Sequence, residues 1–109
     1  MNLNFFCHVP PAPDAAREAG WRMRLSAYYA EFGIDPDTAP PGAGRNPFDE
    51  TGCALVEELR PQVVSFHFGL PAPALVGRLK KTGARVIASA TTVAEARWLE
   101  ERGCDAIIA

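Results

Sequence analysis

The sequence has little cysteine, no excess of positive charge and no long hydrophobic run. Its three cysteines, Cys7, Cys53 and Cys104, are widely spaced and form no C-x-x-C pair, which argues against a disulfide framework and a zinc site. Eleven Lys and Arg stand against thirteen Asp and Glu, so no basic field exists to bind nucleic acid or an anionic membrane. The apolar runs fall well short of the roughly 20 residues that cross a bilayer. We therefore expect a cytoplasmic globular protein without a metal site and without nucleic-acid or membrane partners.

Apolar periodicity, interrupted by glycine and proline, divides the 109 residues into alternating strands and helices. The predicted order is a strand over 2–6, a helix over 13–32, an exposed loop over 34–45, a helix over 46–60, a strand over 63–68, a helix over 73–82, a strand over 85–90, a helix over 92–103 and a strand from 105 onward. Pro13, Asn46 before Pro47, and Thr92 in a capping box are the expected helix starts. Gly33 and Gly83 are the expected terminators.

Apolar residues at helical spacing predict the inward faces of the helices. These residues are Trp21, Leu25, Tyr28 or Tyr29 and Phe32 in the first helix, Phe48, Gly52, Leu55, Val56 and Leu59 in the second, and Leu75, Val76 and Leu79 in the third.

Strands that alternate with single helices predict a parallel sheet and an α/β fold. The later βα units are as compact as those of barrels, and a complete (β/α)₈ barrel needs about 250 residues. We therefore expect a partial TIM barrel of four parallel strands with outer helices, formed as one domain over 1–109 with an insertion over about 10–61. A small doubly wound sheet is the alternative, and the spacing does not decide between the two.

In both architectures, ligands bind at the carboxyl ends of the strands. The residues there are Asn4, Cys7 and His8 after the first strand, His67 and Gly69 after the second, and Ser89, Ala90, Thr91 and Thr92 after the third. His67 could act as a base or hydrogen-bond donor to a ligand, or be a neutral histidine hydrogen-bonded within the fold. The Asn4 amide suits a planar heterocycle with mixed polar edges, or a bond to a neighbouring loop.

Hydroxyl groups after the third strand have two possible uses. Ser89 and Thr91 could contact a phosphate or a flavin, whereas Thr92 is expected to cap the following helix. Adjacent Cys7 and His8 lack the further ligands that would define a metal site. The sequence contains no dinucleotide-binding glycine motif, P-loop, nucleophile elbow or zinc-protease motif.

Several phrases resemble the nitronate monooxygenases, also called 2-nitropropane dioxygenases. They are VVSFHFGLP at 63–71, LKKTGARVI at 79–87, ATTVAEA at 90–96 and GCDAIIA at 103–109, with NLNFF at 2–6 resembling the family's third barrel strand. The FMN-dependent enoyl-acyl-carrier-protein reductases share the later part of this pattern and remain an alternative.

The resemblance implies an FMN-binding TIM barrel that oxidises nitroalkanes or alkyl nitronates with O₂ to carbonyl compounds and nitrite. By position it implies that Asn4 and Ser89 contact FMN, although some family members carry lysine at the position of Ser89. It places His67 on the substrate side of the flavin, as the candidate catalytic residue.

The family's catalytic-histidine segment and phosphate-binding turns would follow residue 109, and its first two strands would precede Met1. We therefore expect an internal fragment of the enzyme, inactive by itself. The alternative from another class is a noncatalytic α/β scaffold that self-associates through open sheet edges.

Overall fold

The computed structural model describes residues 1–37 and 46–109, which form four strands and five helices. The elements are β1 (Asn2–Phe6), α1 (Ala15–Arg24), α2 (Ser26–Glu31), α3 (Glu50–Leu59), β2 (Val63–His67), α4 (Pro73–Lys81), β3 (Arg85–Ser89), α5 (Val93–Glu101) and β4 (Ala106–Ile108). The chain divides into two compact units. One contains Met1–Pro10 with Arg45–Ala109, and the other is Pro11–Gly44. The sheet unit thus includes α3, which the sequence had suggested to be part of the insertion.

All four strands are parallel and lie in the sheet in chain order, β1-β2-β3-β4. Each new strand is therefore added beside the previous one, as in the wall of a barrel. A doubly wound sheet would instead reverse its strand order at a switch point. The predicted parallel sheet is confirmed, and the architecture is a partial α/β barrel with outer helices.

The hydrophobic core lies between one face of the sheet and the helices of the same unit. Strand side chains alternate between faces, and Val64 and Phe66 of β2 are fully buried beside Val86 and Ala88 of β3. The helices complete this cluster with Cys53, Val56, Leu75, Leu79 and Leu99. The helices of this unit that the structure describes pack on that core side, and the opposite face of the sheet, here called the inner face, carries Asn4, Ser65, His67 and Ser89.

Helix α3 begins later than its sequence predicts. Asn46 is not its cap; Asp49 is, and the Asp49 carboxylate accepts a hydrogen bond from the Gly52 N–H at 2.9 Å. The Phe48 N–H donates to the Phe6 carbonyl at 2.7 Å, which anchors the segment before the helix to the end of β1. Asp49 follows with an extended backbone (φ −136°, ψ −169°), so the first helical residue is Glu50.

The inner side of α3 also differs from the prediction. Cys53 and Val56 are fully buried, whereas Leu55 and Leu59 are largely exposed. Phe48 packs against the core from outside the helix, with its ring 4.8 Å from that of Phe5.

The prediction of one long helix over 13–32 is wrong in two respects. The helix is divided at Leu25 into α1 and α2, and it begins after Asp14, whose carboxylate accepts from the Arg17 N–H, rather than at Pro13. Its apolar stripe is not covered either, because neither helix has a buried residue. Periodicity identifies an apolar face but not a partner for it. Of the loop predicted over 34–45, residues 34–37 have no helix or strand and the rest lies outside the described residues.

The later βα units agree closely with the sequence. Leu75, Val76 and Leu79 of α4 are buried, and Gly83 follows the helix with a φ of 87°. The capping box at Thr92 is present in full at the start of α5. Among the described residues, no helix is both long and apolar enough to span a membrane.

Asp105 connects the amino ends of β3 and β4. Its carboxylate accepts from the Val86 N–H at 2.8 Å and lies 3.6 Å from the cationic groups of Lys80 and Arg85. The backbone hydrogen bond, together with the two cations, holds the pKa of Asp105 below its ordinary value.

Candidate functional site

The carboxyl ends of β2 and β3 bring two predicted site residues into contact on the inner face. His67 ends β2 and Ser89 ends β3, and the His67 Nδ1 lies 2.8 Å from the Ser89 Oγ. Both side chains are half-buried. The contact follows from the register, because Phe66 pairs with Ala88 and the next residue of each strand faces the opposite way.

Asn4, the third predicted residue, lies on the same face but one side-chain layer further from the strand ends. It pairs with Ser65, and the Ser65 hydroxyl donates a hydrogen bond to the Asn4 Oδ1 at 2.9 Å. Ser65 is only 5% exposed, so this bond satisfies a buried hydroxyl. Because the acceptor oxygen of Asn4 is engaged, its amide NH₂ remains available as a donor.

Four rings cluster where β1 and β2 end. The centroid distances are 6.0 Å between Phe6 and His67, 5.8 Å between Phe6 and Phe68, and 6.5 Å between His8 and Phe68. Phe68 is 69% exposed, and its φ of 65° lies in the left-handed region. Strained backbone of this kind is concentrated at functional sites. A cavity of about 450 Å³ adjoins the cluster and is lined by residues that include Phe68, Ser89 and Thr91.

The other residues singled out after the strands have structural partners. The Thr92 hydroxyl accepts from the Glu95 N–H, which confirms its predicted role as a cap. The Glu95 carboxylate accepts from the Thr91 N–H, the Thr91 hydroxyl and the Thr92 N–H. These bonds, led by that from the Thr91 backbone, hold the pKa of Glu95 below its ordinary range.

Cys7 and His8 follow β1 without forming a reactive pair. Burial raises the pKa of the Cys7 thiol to about 11, so the thiolate that a nucleophile requires is scarce at neutral pH. Within residues 1–37 and 46–109, no group of three or more His, Cys, Asp or Glu is arranged to hold a metal ion.

Sequence reasoning overlooked Ser65, Phe6 and Phe68. A signal for Ser65 was present, since it is polar, lies between Val64 and Phe66, and has the same parity along the strand as His67. Phe6 shares the face of Asn4 for the same reason. The left-handed backbone of Phe68 has no such signal, because phenylalanine does not favour that conformation.

The site combines a hydrogen-bonded imidazole, an amide donor and a small aromatic wall. An imidazole and an amide can each donate and accept hydrogen bonds. The arrangement can accommodate a planar group with polar edges on the inner face, beside His67.

Comparisons with known proteins agree on one family. The sequence model of that family, described as nitronate monooxygenase, matches residues 1–109. The chain is 39% identical over 110 residues to a nitronate monooxygenase of Paraburkholderia phytofirmans and 41% identical over 114 residues to one of Pseudomonas aeruginosa. These matches include 100% of this chain but 30% and 31% of the two relatives.

A solved structure gives the same result. The nitroalkane oxidase from Streptomyces ansochromogenes matches 99% of this chain with a TM-score of 0.80 and 30% identity. The match covers 30% of that protein's chain, so the present chain spans about three tenths of the relatives' length.

Proposed function

This chain belongs to the nitronate monooxygenase family, and from that premise we propose that it forms one wall of the active site of a flavin-dependent oxidoreductase. The proposed reaction is the oxidation of nitroalkanes or alkyl nitronates by O₂ to carbonyl compounds and nitrite. The family match over residues 1–109 carries the proposal. The structural likeness to a nitroalkane oxidase supports the same substrate class.

The side chains of the inner face fit the ring of FMN. Asn4 offers an amide donor and Ser89 a hydroxyl, and both suit the mixed polar edge of a flavin ring. Two helices, α4 and α5, begin near these strand ends, but α4 starts at Pro73 and the first turn of α5 is closed by its capping box. We therefore assign the ring to these residues and the phosphate to parts of the barrel beyond the four strands. FMN, when bound, supplies the redox chemistry with O₂.

The chain's own residues would orient the substrate. His67 offers an imidazole nitrogen for a proton or a hydrogen bond to the nitro group. Phe6 and Phe68 provide an apolar wall that limits the access of water to the same side.

The four strands do not close a barrel by themselves. In the part of the chain that the structure describes, β1 and β4 each pair with a single neighbouring strand, whereas a (β/α)₈ barrel has eight strands in a closed ring. We propose that turnover requires the remaining strands and that the 109 residues alone release no nitrite.

Backbone amide NMR of the labelled chain during addition of FMN tests the assignment of the ring. We expect shift changes centred on Asn4, Ser65 and Ser89, and weaker binding for Asn4→Ala. One lost hydrogen bond of about 1 kcal/mol corresponds to about a fivefold rise in Kd. Asn2→Ala is the matched control, because Asn2 lies on the same strand and the same face but at the other end.

Equal Kd values for the Asn4→Ala and Asn2→Ala variants would reject the role of Asn4. A companion assay measures nitrite released from an alkyl nitronate with FMN and O₂. Nitrite above the level produced by free FMN would show that these strands suffice, contrary to the proposed need for a closed barrel.

A further inference from the structure

We infer that Ser89 is a positioning residue that selects which nitrogen of His67 faces the ligand. The inference rests on the proposed function for the identity of that ligand. It adds a second use for the Ser89 hydroxyl, which the family resemblance associates only with the flavin.

The aromatic neighbours of the His67 ring do not fix its orientation, so the contact with Ser89 does. The neighbouring rings of Phe6 and Phe68 lie 6.0 and 6.4 Å away by centroid. Such contacts limit the tilt of an imidazole, but they barely distinguish its nitrogens from its carbons. The terminal torsion of histidine has two broad minima related by a half turn, so apolar neighbours alone leave both ring orientations accessible.

The hydrogen bond to Ser89 removes this ambiguity. It joins the Ser89 Oγ to Nδ1 at 2.8 Å, and a half turn of the ring would replace Nδ1 by a carbon. Among residues 1–37 and 46–109, no other hydrogen-bond partner is seen for the His67 ring or for the Ser89 hydroxyl. Nδ1 is thereby engaged and Nε2 is left for a ligand, whichever of the two nitrogens carries the proton, because a serine hydroxyl can both donate and accept.

Ser89 is itself held by the sheet. It pairs with Ile108 of β4, and the preceding residue, Ala88, is fully buried in the core. Its Cα position is therefore set by two elements that do not depend on His67. Groups of this kind, locked by packing and backbone pairing, are the ones that can orient a functional side chain.

The test is ¹H NMR of the intact chain, in which nuclear Overhauser effects report the ring orientation directly. With Nδ1 toward Ser89, the adjacent ring proton Hε1 lies near the Ser89 Hβ protons, whereas a half turn of the ring would bring Hδ2 there instead. We expect Overhauser effects from the Ser89 Hβ protons to Hε1 of His67 and none of comparable strength to Hδ2.

Three variants complete the test. In Ser89→Ala, Overhauser effects from position 89 should reach both Hε1 and Hδ2 of His67, as expected for two ring orientations, whereas Ser89→Thr, which retains the hydroxyl, should preserve the single orientation. Ser65→Ala is the matched control, because it removes a hydroxyl from the same face that is bonded to Asn4 and not to His67. It should leave the Overhauser pattern of His67 unchanged.

Overhauser effects of equal strength to Hε1 and Hδ2 in the unmodified chain would overturn the inference, and this measurement requires no variant to fold. A Ser89→Ala spectrum that keeps the single orientation, or a Ser89→Thr spectrum that loses it, would do the same. None of these measurements requires FMN or turnover, so the inference can fail while the proposed function stands, and the converse also holds.

Discussion

Phe68 adopts a backbone conformation that few side chains tolerate. Its φ of 65° is followed by a φ of 100° at Gly69, and the two residues turn the chain away from β2 at the edge of the site. For a residue with a Cβ, the left-handed region costs about 1–2 kcal/mol. The ring of Phe68 is mostly exposed, so its contacts recover little of this cost.

A pair of substitutions at Phe68 isolates the energetic cost of its left-handed backbone conformation. Asparagine tolerates the left-handed region and β-branched valine does not, while both lose the aromatic ring. We expect the free energy of unfolding of Phe68→Val to be about 1 kcal/mol lower than that of Phe68→Asn, as measured by urea denaturation. At exposed Val9, where φ is not positive, the unmodified chain and the Val9→Asn variant make the same comparison and should differ much less in stability. Equal stabilities of the two Phe68 variants would contradict the left-handed assignment.

Asp105 should make stability depend on acid pH. Its pKa is lower in the folded chain, chiefly because of the Val86 N–H, so its contribution is present above the ordinary aspartate value of about 3.9 and is lost as pH falls through the folded pKa. We expect Asp105→Asn to be less stable than the unmodified chain at neutral pH, with the difference narrowing below about pH 4.

Urea unfolding at neutral and acid pH measures this effect. Asp37→Asn serves as the control, because Asp37 forms an exposed ion pair with Arg22 in the other unit, and such pairs contribute little. A difference for Asp105→Asn that stays constant with pH would show that the carboxylate acts through packing and not through its charge.

At the scale of the element, the side chains of Thr92 and Glu95 together hold the start of α5, and the contribution of Thr92 can be tested directly. Thr92→Ala removes the hydroxyl that accepts from the Glu95 N–H and should lower the free energy of unfolding by about 1 kcal/mol. Thr92→Ser keeps the hydroxyl and should retain most of the stability. A loss as large in the serine variant would point to the lost methyl group and not to the cap.

The elements that the sequence predicts best are those whose signals are local. The Thr92 capping box and Gly83 need only neighbouring residues to act, and both are present as expected. The segment before α3 is instead anchored to the carbonyl of Phe6, which is more than forty residues away along the chain. No short-range rule contains that hydrogen bond, and Asn46 and Asp49 are both residue types that cap helices, so the local pattern does not decide between them.

The candidate site also has some features that local sequence patterns predict and others that only the folded sheet determines. Sequence order and strand parity place His67 and Ser89 at the same edge of a parallel sheet, which is enough to nominate both residues. Their direct bond requires the exact register, which the chain sets through pairing and packing of whole strands. The exposed stripe of α1 and α2 shows the converse limit, since amphipathic spacing was read correctly but its expected burial was wrong.

At the scale of the whole molecule, β4 ends the sheet within the part of the chain that the structure describes, and its outer edge offers backbone groups to other chains. We expect the 109-residue chain to self-associate with rising concentration, and Ile107→Lys on β4 to suppress this. A charged residue on an edge strand opposes pairing. Sedimentation velocity over a range of concentrations measures the effect.

Tyr28→Lys is the contrasting variant, because Tyr28 lies on the exposed stripe of α2 in the other unit. Association that survives Ile107→Lys but disappears in Tyr28→Lys would assign the contact to that stripe and not to the sheet edge.

The alternation along β2 serves two purposes at once, since odd-numbered Ser65 and His67 face the inner side of the sheet, where the candidate site lies, while even-numbered Val64 and Phe66 fill the core. Inserting or deleting one residue within the strand would exchange the two sets beyond that point, so packing and chemistry would be lost together. Changes of length during evolution should therefore be confined to the connections between strands. The Pro11–Gly44 unit, which enters between β1 and β2 without shifting their pairing, is the kind of addition that this constraint allows.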